Sequence, residues 1–133
     1  MLKIGELKPG NLVKVRDEGV EREGVVVDIS HEENQALIDN GIQEFWYNPE
    51  EILPVTVNED QLMKLGFEKE VMEDGLIKYK KGAFRLAIFK EGDFSEIEMW
   101  YREDRRHFHH PIEVHQLQNL HLQMTKVPLE LPA

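Results

Sequence analysis

The densest chemistry in this sequence is the run Arg102-Glu103-Asp104-Arg105-Arg106-His107-Phe108-His109-His110, which follows directly on Trp100-Tyr101. Guanidinium forks match phosphate geometry, and aromatic faces stack on bases. Trp100, Tyr101, Arg102, Arg105 and Arg106 are therefore the expected ligand-binding set, and the ligand they suit is a small anionic nucleotide. The competing reading is a solvated loop between a strand and a helix, with Glu103 and Asp104 partly neutralising the arginines. Imidazole nitrogens at His107, His109, His110 and His115 are of the type that binds zinc or copper. Adjacent His109 and His110 point apart in an extended loop, however, and no carboxylate motif accompanies them. No metal and no cofactor is assigned.

A second aromatic cluster, Phe45-Trp46-Tyr47, divides between two faces of a strand, with Phe45 and Tyr47 on one and Trp46 on the other. Small barrels bind peptides through exposed aromatics, so Trp46 joins the surface acids Glu21, Glu23, Glu32 and Glu33 as the expected partner-binding set. Packing in the core is the alternative for this cluster. Carboxylates are abundant, but Glu50-Glu51 fits a helix start and Glu32-Glu33 a loop. Phosphate-loop, nucleophile-elbow and metalloprotease signatures are missing, so the chain is expected not to be an enzyme. Acid–base chemistry by scattered residues stays open, because pKa tuning is a property of three dimensions.

The 133 residues carry 16 Lys+Arg against 26 Asp+Glu, a net charge of −10, and no cysteine. That length suits one or two small domains, and 41% hydrophobic residues are enough for a packed core. Without cysteine there is neither a disulfide nor a thiolate site, which suits a reducing cytoplasm. No segment approaches a membrane span. The charge is uneven: residues 1–57 hold 5 Lys+Arg and 12 Asp+Glu, a balance of −7, and residues 58–133 hold 11 and 14, a balance of −3. The acidic first half argues against nucleic-acid binding there, which needs cations to displace counterions from phosphate.

Several elements must position these groups. Turn residues at Pro9-Gly10, Asp17-Glu18-Gly19, His31 to Asn34 and Asn40-Gly41 separate short apolar runs at Asn11–Val15, Gly24–Ser30, Ala36–Asp39, Ile42–Tyr47 and Ile52–Val57. Val25, Val27 and Ile29 alternate on one face of the second run. Asn48-Pro49-Glu50-Glu51 reads as one helical turn. Five strands in under 60 residues predict a small acidic SH3-like barrel at residues 1–57. From residue 58 the period changes. Asn58 caps a short helix that Gly66 ends. Strands are expected at Leu76–Lys80, Ala83–Phe89 and Ser95–Tyr101. A helix follows from about Ile112 to Thr125, with Pro111 just inside it, His121 on its apolar stripe and His115 off it. Gln116, Gln118 and Asn119 are placed either to cap backbone or to meet a partner. The expected class is α+β: the barrel, then an antiparallel sheet with two helices at residues 58–126, then a loosely tied tail at 127–133.

The segment Val114-His115-Gln116-Leu117-Gln118-Asn119-Leu120 resembles the ending, read VHQLQNLY, of a family of small Bacteroidetes phage and prophage proteins. Leu7-Lys8-Pro9-Gly10-Asn11-Leu12-Val13 and Leu65-Gly66-Phe67-Glu68-Lys69 are also similar to that family. This chain departs from it at His121, where the family has Tyr, at Lys126-Val127-Pro128 in place of a Thr-Gly ending, and in a longer, more basic Glu103–Pro111. The resemblance implies a phage-encoded accessory protein in the cytoplasm of the bacterial host, but transfers no catalytic residue. The leading expectation is stoichiometric binding to a host protein, countering a host factor or defence pathway. A sponge for a nucleotide signal is the alternative and a nucleic-acid regulator a minor one. Self-association is left open.

Overall fold

The structure, a computed structural model, describes residues 2–132, and its contacts divide the chain into two compact units. One runs to Val55 and includes Glu113–Asn119; the other takes Thr56–Ile112 and the residues from Leu120 onward. The class is α+β, with two antiparallel five-stranded sheets and two helices.

In the first unit, β1 (Leu12–Asp17), β2 (Val20–Ser30), β3 (Gln35–Asp39), β4 (Glu44–Tyr47) and β5 (Ile52–Leu53) lie in the order β4-β3-β2-β1-β5. The β1–β2 turn places Glu18 and Gly19 at φ of 50° and 80°, the paired positive values that suit the twist of a tight hairpin. The core comprises Val13, Val15, Val26, Ile38, Tyr47 and Ile52, with Leu2, Ile4 and Leu7 from the segment ahead of β1. Pairing does not close a barrel. β5 pairs with β1 over two positions only, Lys14↔Leu53 and Val15↔Ile52, and Pro54, with no N–H to donate, ends it. The sheet is open, with β4 and β5 as its edges.

Two local expectations change here. A bulge between Val26 and Asp28 shifts the β2–β3 register, so Val26 enters the core while Val27 is exposed; the period-two reading of Val25, Val27 and Ile29 missed the extra residue. Asn40-Gly41 is not a two-residue hairpin turn either. Asp39 pairs with Glu44, and Asn40 Oδ1 accepts from the backbone N–H of Ile42 and of Gln43, which makes a four-residue loop with Ile42 outside the strand.

In the second unit, α1 (Glu59–Lys64) is capped by Asn58, whose Oδ1 accepts from Gln61 N–H at 3.0 Å, and Gly66 at φ 92° ends it. The meander β6 (Glu68–Val71), β7 (Ile77–Lys81), β8 (Phe84–Ile88), β9 (Ile97–Tyr101) and β10 (Asp104–Phe108) follows in sequential order. One face packs Ile77, Tyr79, Phe84, Leu86, Ile97 and Met99 into a core with Leu62, Leu65 and Phe67. The run 102–110, for which a solvated loop was the competing reading, is thus mostly strand, and β6 was not foreseen. Both are edge strands whose charged residues hide the alternation, and charged edges are how sheets resist pairing with other chains.

α2 (Val114–Thr125) starts after Pro111 and Ile112 rather than around them. Its first six residues belong to the first unit and the rest to the second, so the helix is not a possession of the second module alone. The tail is not loose throughout: Leu129 is 1% exposed, and His121 Nδ1–H donates to the Val127 carbonyl at 2.8 Å. No helix among the described residues is long and apolar enough to cross a membrane.

Candidate functional site

Antiparallel register assembles a row of side chains on the outer face of the second sheet. Lys80 stands opposite Arg85, Arg85 opposite Trp100, and Trp100 opposite Arg105, one residue from each of β7, β8, β9 and β10. The neighbouring row is Lys78, Ala87, Glu98 and His107. Ala87 is small, and the long side chains beside it lean across. Lys78 Nζ lies 5.6 Å from the Trp100 ring centre and the Arg105 guanidinium 5.3 Å from it, both within cation–π range. Carboxylates at the margins take part of this charge: Arg105 Nη1 is 3.2 Å from Glu98 Oε1, and Lys80 Nζ is 3.4 Å from Glu70 Oε2.

The five residues expected to form one ligand site are split by this geometry. Trp100 and Arg105 share the outer face. Tyr101 and Arg106 alternate to the other, where Arg106 is forked onto its neighbour Asp104 at 3.1 and 3.3 Å. Arg102 sits in the two-residue β9–β10 turn at φ 58°, its guanidinium 5.0 Å from the Tyr101 ring centre. Lys78, Lys80 and Arg85 were missed. They lie 15 or more residues before Trp100 in the sequence and join it only through strand register, so no local motif announces them.

At the end of the same face, His107 Nε2 is 2.7 Å from Glu96 Oε1, and His109 Nδ1 is 3.7 Å from that same oxygen. The rings of His107 and His109 stack at 4.5 Å, and Phe89 stacks with His107 at 5.8 Å. Glu98 Oε2 approaches the other nitrogen of His107 at 3.6 Å. Strand geometry brings the two histidines to one side, whereas His110 turns away and its Nδ1 meets the Pro111 carbonyl at 2.9 Å. The carboxylate that a local reading of the histidine run lacked is Glu96, supplied across the sheet.

The acidic set is scattered. Glu21 and Glu23 lie in the first half of β2, opposite Arg16 and Lys14, with Glu21 3.6 Å from Arg16. Glu32 and Glu33 lie in the turn after β2, roughly 25–30 Å further along the strand at its rise per residue. Trp46 is 44% exposed on β4 beside Phe45 at 45%.

The first unit holds a cleft of about 570 Å³ lined by Glu6, Glu50, Ile52, Pro54, Glu113 and His115, among others. His115, expected off the buried stripe, is 2% exposed. Neither ring nitrogen has a hydrogen-bond partner, although Glu6 Oε2 stands 3.4 Å from Nε2. Burial pushes its pKa below the ordinary imidazole value, against the pull of Glu6 and Glu113. His121 is shifted the same way by burial, with the Val127 carbonyl opposing, and packs edge-on to Phe84 at 4.8 Å. The polar residues between these histidines cap backbone: Gln118 Oε1 accepts from Leu12 N–H and its Nε2 donates to the Gly10 carbonyl, both at 2.8 Å. Asn119 Nδ2 donates to the Glu6 carbonyl, and its Oδ1 accepts from Asn11 Nδ2. Comparison with family models, with curated proteins and with solved structures finds no match to this chain.

Proposed function

We propose that this protein acts by stoichiometric, non-catalytic binding, and that its binding surface is the outer face of the second sheet, which takes a small anionic ligand of nucleotide type. One observation carries the reading: the row in which Arg85 and Arg105 flank Trp100 in register, with Lys78 leaning over the same indole. Phosphate suits the guanidinium and ammonium groups, and a base suits the indole. Glu98 does not disqualify Arg105. The pair is exposed on the arginine side, and such pairs contribute only about 0–1 kcal/mol, so a multiply charged phosphate can displace the carboxylate. Titration of ¹⁵N-labelled protein with adenosine mono-, di- and triphosphate tests this. Movement of the Trp100 indole signal together with amides of 78, 85 and 105 supports it. Saturation at other residues, or no shift with any of the three, overturns it.

A second reading is a protein partner on the first unit, favoured by Phe45 and Trp46 standing exposed on edge strand β4. Free edges accept an added strand, and exposed aromatics supply its pockets. The strand order, with a helical turn at Pro49–Glu51 before the short last strand, supports reading this unit as SH3-like. The phage resemblance of the Val114–Leu120 segment supports a host protein as that partner and a bacterial cytoplasm as the setting. Cross-linking from position 46 in host lysate, followed by reconstitution with the purified captured protein, tests it; a complex that forms equally well with Trp46→Ala contradicts it.

A further inference from the structure

We propose that Glu96, His107 and His109 form a binding site for a late first-row divalent metal ion, with Zn²⁺ the best fit. One ligand atom from each lies within 4.8 Å of the other two. A tetrahedral ion with ligands at about 2.0–2.2 Å sets those atoms roughly 3.3–3.5 Å apart. The separations from Glu96 Oε1, 2.7 Å to His107 Nε2 and 3.7 Å to His109 Nδ1, bracket that spacing, and the two imidazoles lie within the same 4.8 Å reach, so adjustments on the scale of side-chain rotation are what an ion would require.

The surroundings support the site as well as the ligands. His107 presents Nε2 to Glu96 while Glu98 approaches its Nδ1 at 3.6 Å. The 2.7 Å contact to Glu96 requires a proton on Nε2. Once an ion takes that position, Glu98 stands beside Nδ1 to accept from its N–H, the usual arrangement behind a ligating histidine. Phe89 stacks on His107 and restricts that ring, while the His107–His109 stack opens as the ion binds, because each lone pair lies in the plane of its own ring. Two imidazoles and one carboxylate suit zinc and its transition-metal neighbours rather than magnesium or calcium, which prefer all-oxygen shells. Three protein ligands also leave an open coordination position, for water or for an anion. When the ion binds, Nε2 and the Glu96 oxygen coordinate it in place of their mutual hydrogen bond, and any proton held between them is released to solvent. The site stands independently of the nucleotide reading.

Calorimetry of the untagged, metal-stripped full chain with Zn²⁺ at neutral pH tests the proposal. The expected result is one ion per chain with micromolar or tighter affinity, weakened at least about tenfold by Glu96→Gln and by His107→Gln, unchanged by His110→Gln, and absent with Mg²⁺. Paramagnetic Co²⁺ added to ¹⁵N-labelled wild-type protein maps the site without any substitution: amides near 96, 107 and 109 should shift or broaden first. No heat with Zn²⁺, affinity that survives both substitutions, or Co²⁺ effects centred elsewhere would overturn it.

Discussion

The two sheets have the same strand count and the same antiparallel pairing, yet they use their exposed faces differently. In the first unit the charged residues are spread along β2 and its turn, and the exposed aromatics sit on an edge strand. In the second, residues from four strands meet in one row, and cations from β7, β8 and β10 surround a single indole from β9. Net charge alone disfavours an anion on the first half, −7 against −3, but it places no site on the second. A surface is made by register, which decides which charges become neighbours, and not by the total on the segment that supplies them.

The comparison is broken most severely by removing what holds the first unit together. Gln118→Ala would leave the Leu12 N–H and the Gly10 carbonyl without their side-chain partner, and the loss expected is about 3 kcal/mol, read by urea denaturation. Gly24→Ala comes next. A Cβ there would lie 2.6 Å from Ile38 Cγ2 and 3.0 Å from the Asp39 carbonyl oxygen, and the overpacking should cost about 2 kcal/mol. If the second sheet is an autonomous binding surface, its ligand affinity should outlast both changes under conditions where the chain remains folded.

Acid should weaken the fold through the buried histidines. His115 and His121 both have folded pKa values below the ordinary 6.5, so below that pH the unfolded chain binds more protons and stability falls as pH drops toward the folded values. Above it both states are neutral and these residues add no slope. Denaturation midpoints should therefore decline on acidification from neutral pH, and His115→Gln combined with His121→Tyr should flatten that decline. The smallest effect belongs to Arg16–Glu21, an exposed pair at 3.6 Å. Removing either partner should change stability by less than about 0.5 kcal/mol.

What was legible in the sequence follows from range. Asn58 and Gly66 bound α1 as read, because a helix cap is decided within three or four residues. The α+β class followed from the change of period near residue 58. Barrel closure was not legible, since it depends on whether a two-residue β5 reaches the far edge. The bulge at Val26–Asp28 was hidden because one inserted residue leaves a continuous apolar run. In the candidate site, Trp100 and Arg105 could be named from the sequence, but their companions come from strands whose register no local pattern specifies. Two of the three segments that carry the phage resemblance turn out to be bonded to each other: Gln118 and Asn119 hold Gly10, Asn11 and Leu12, and also Glu6 just ahead of them. That motif is a structural clasp.

The central claim, that the second sheet and not the acidic first unit is the anion-binding surface, is tested most directly by opposed charge reversals in one dialysis experiment with adenosine triphosphate. Arg85→Glu/Arg105→Glu should abolish binding, and Glu21→Lys/Glu32→Lys should leave it unchanged. Binding that persists after the first pair is reversed, or disappears after the second, would contradict the account.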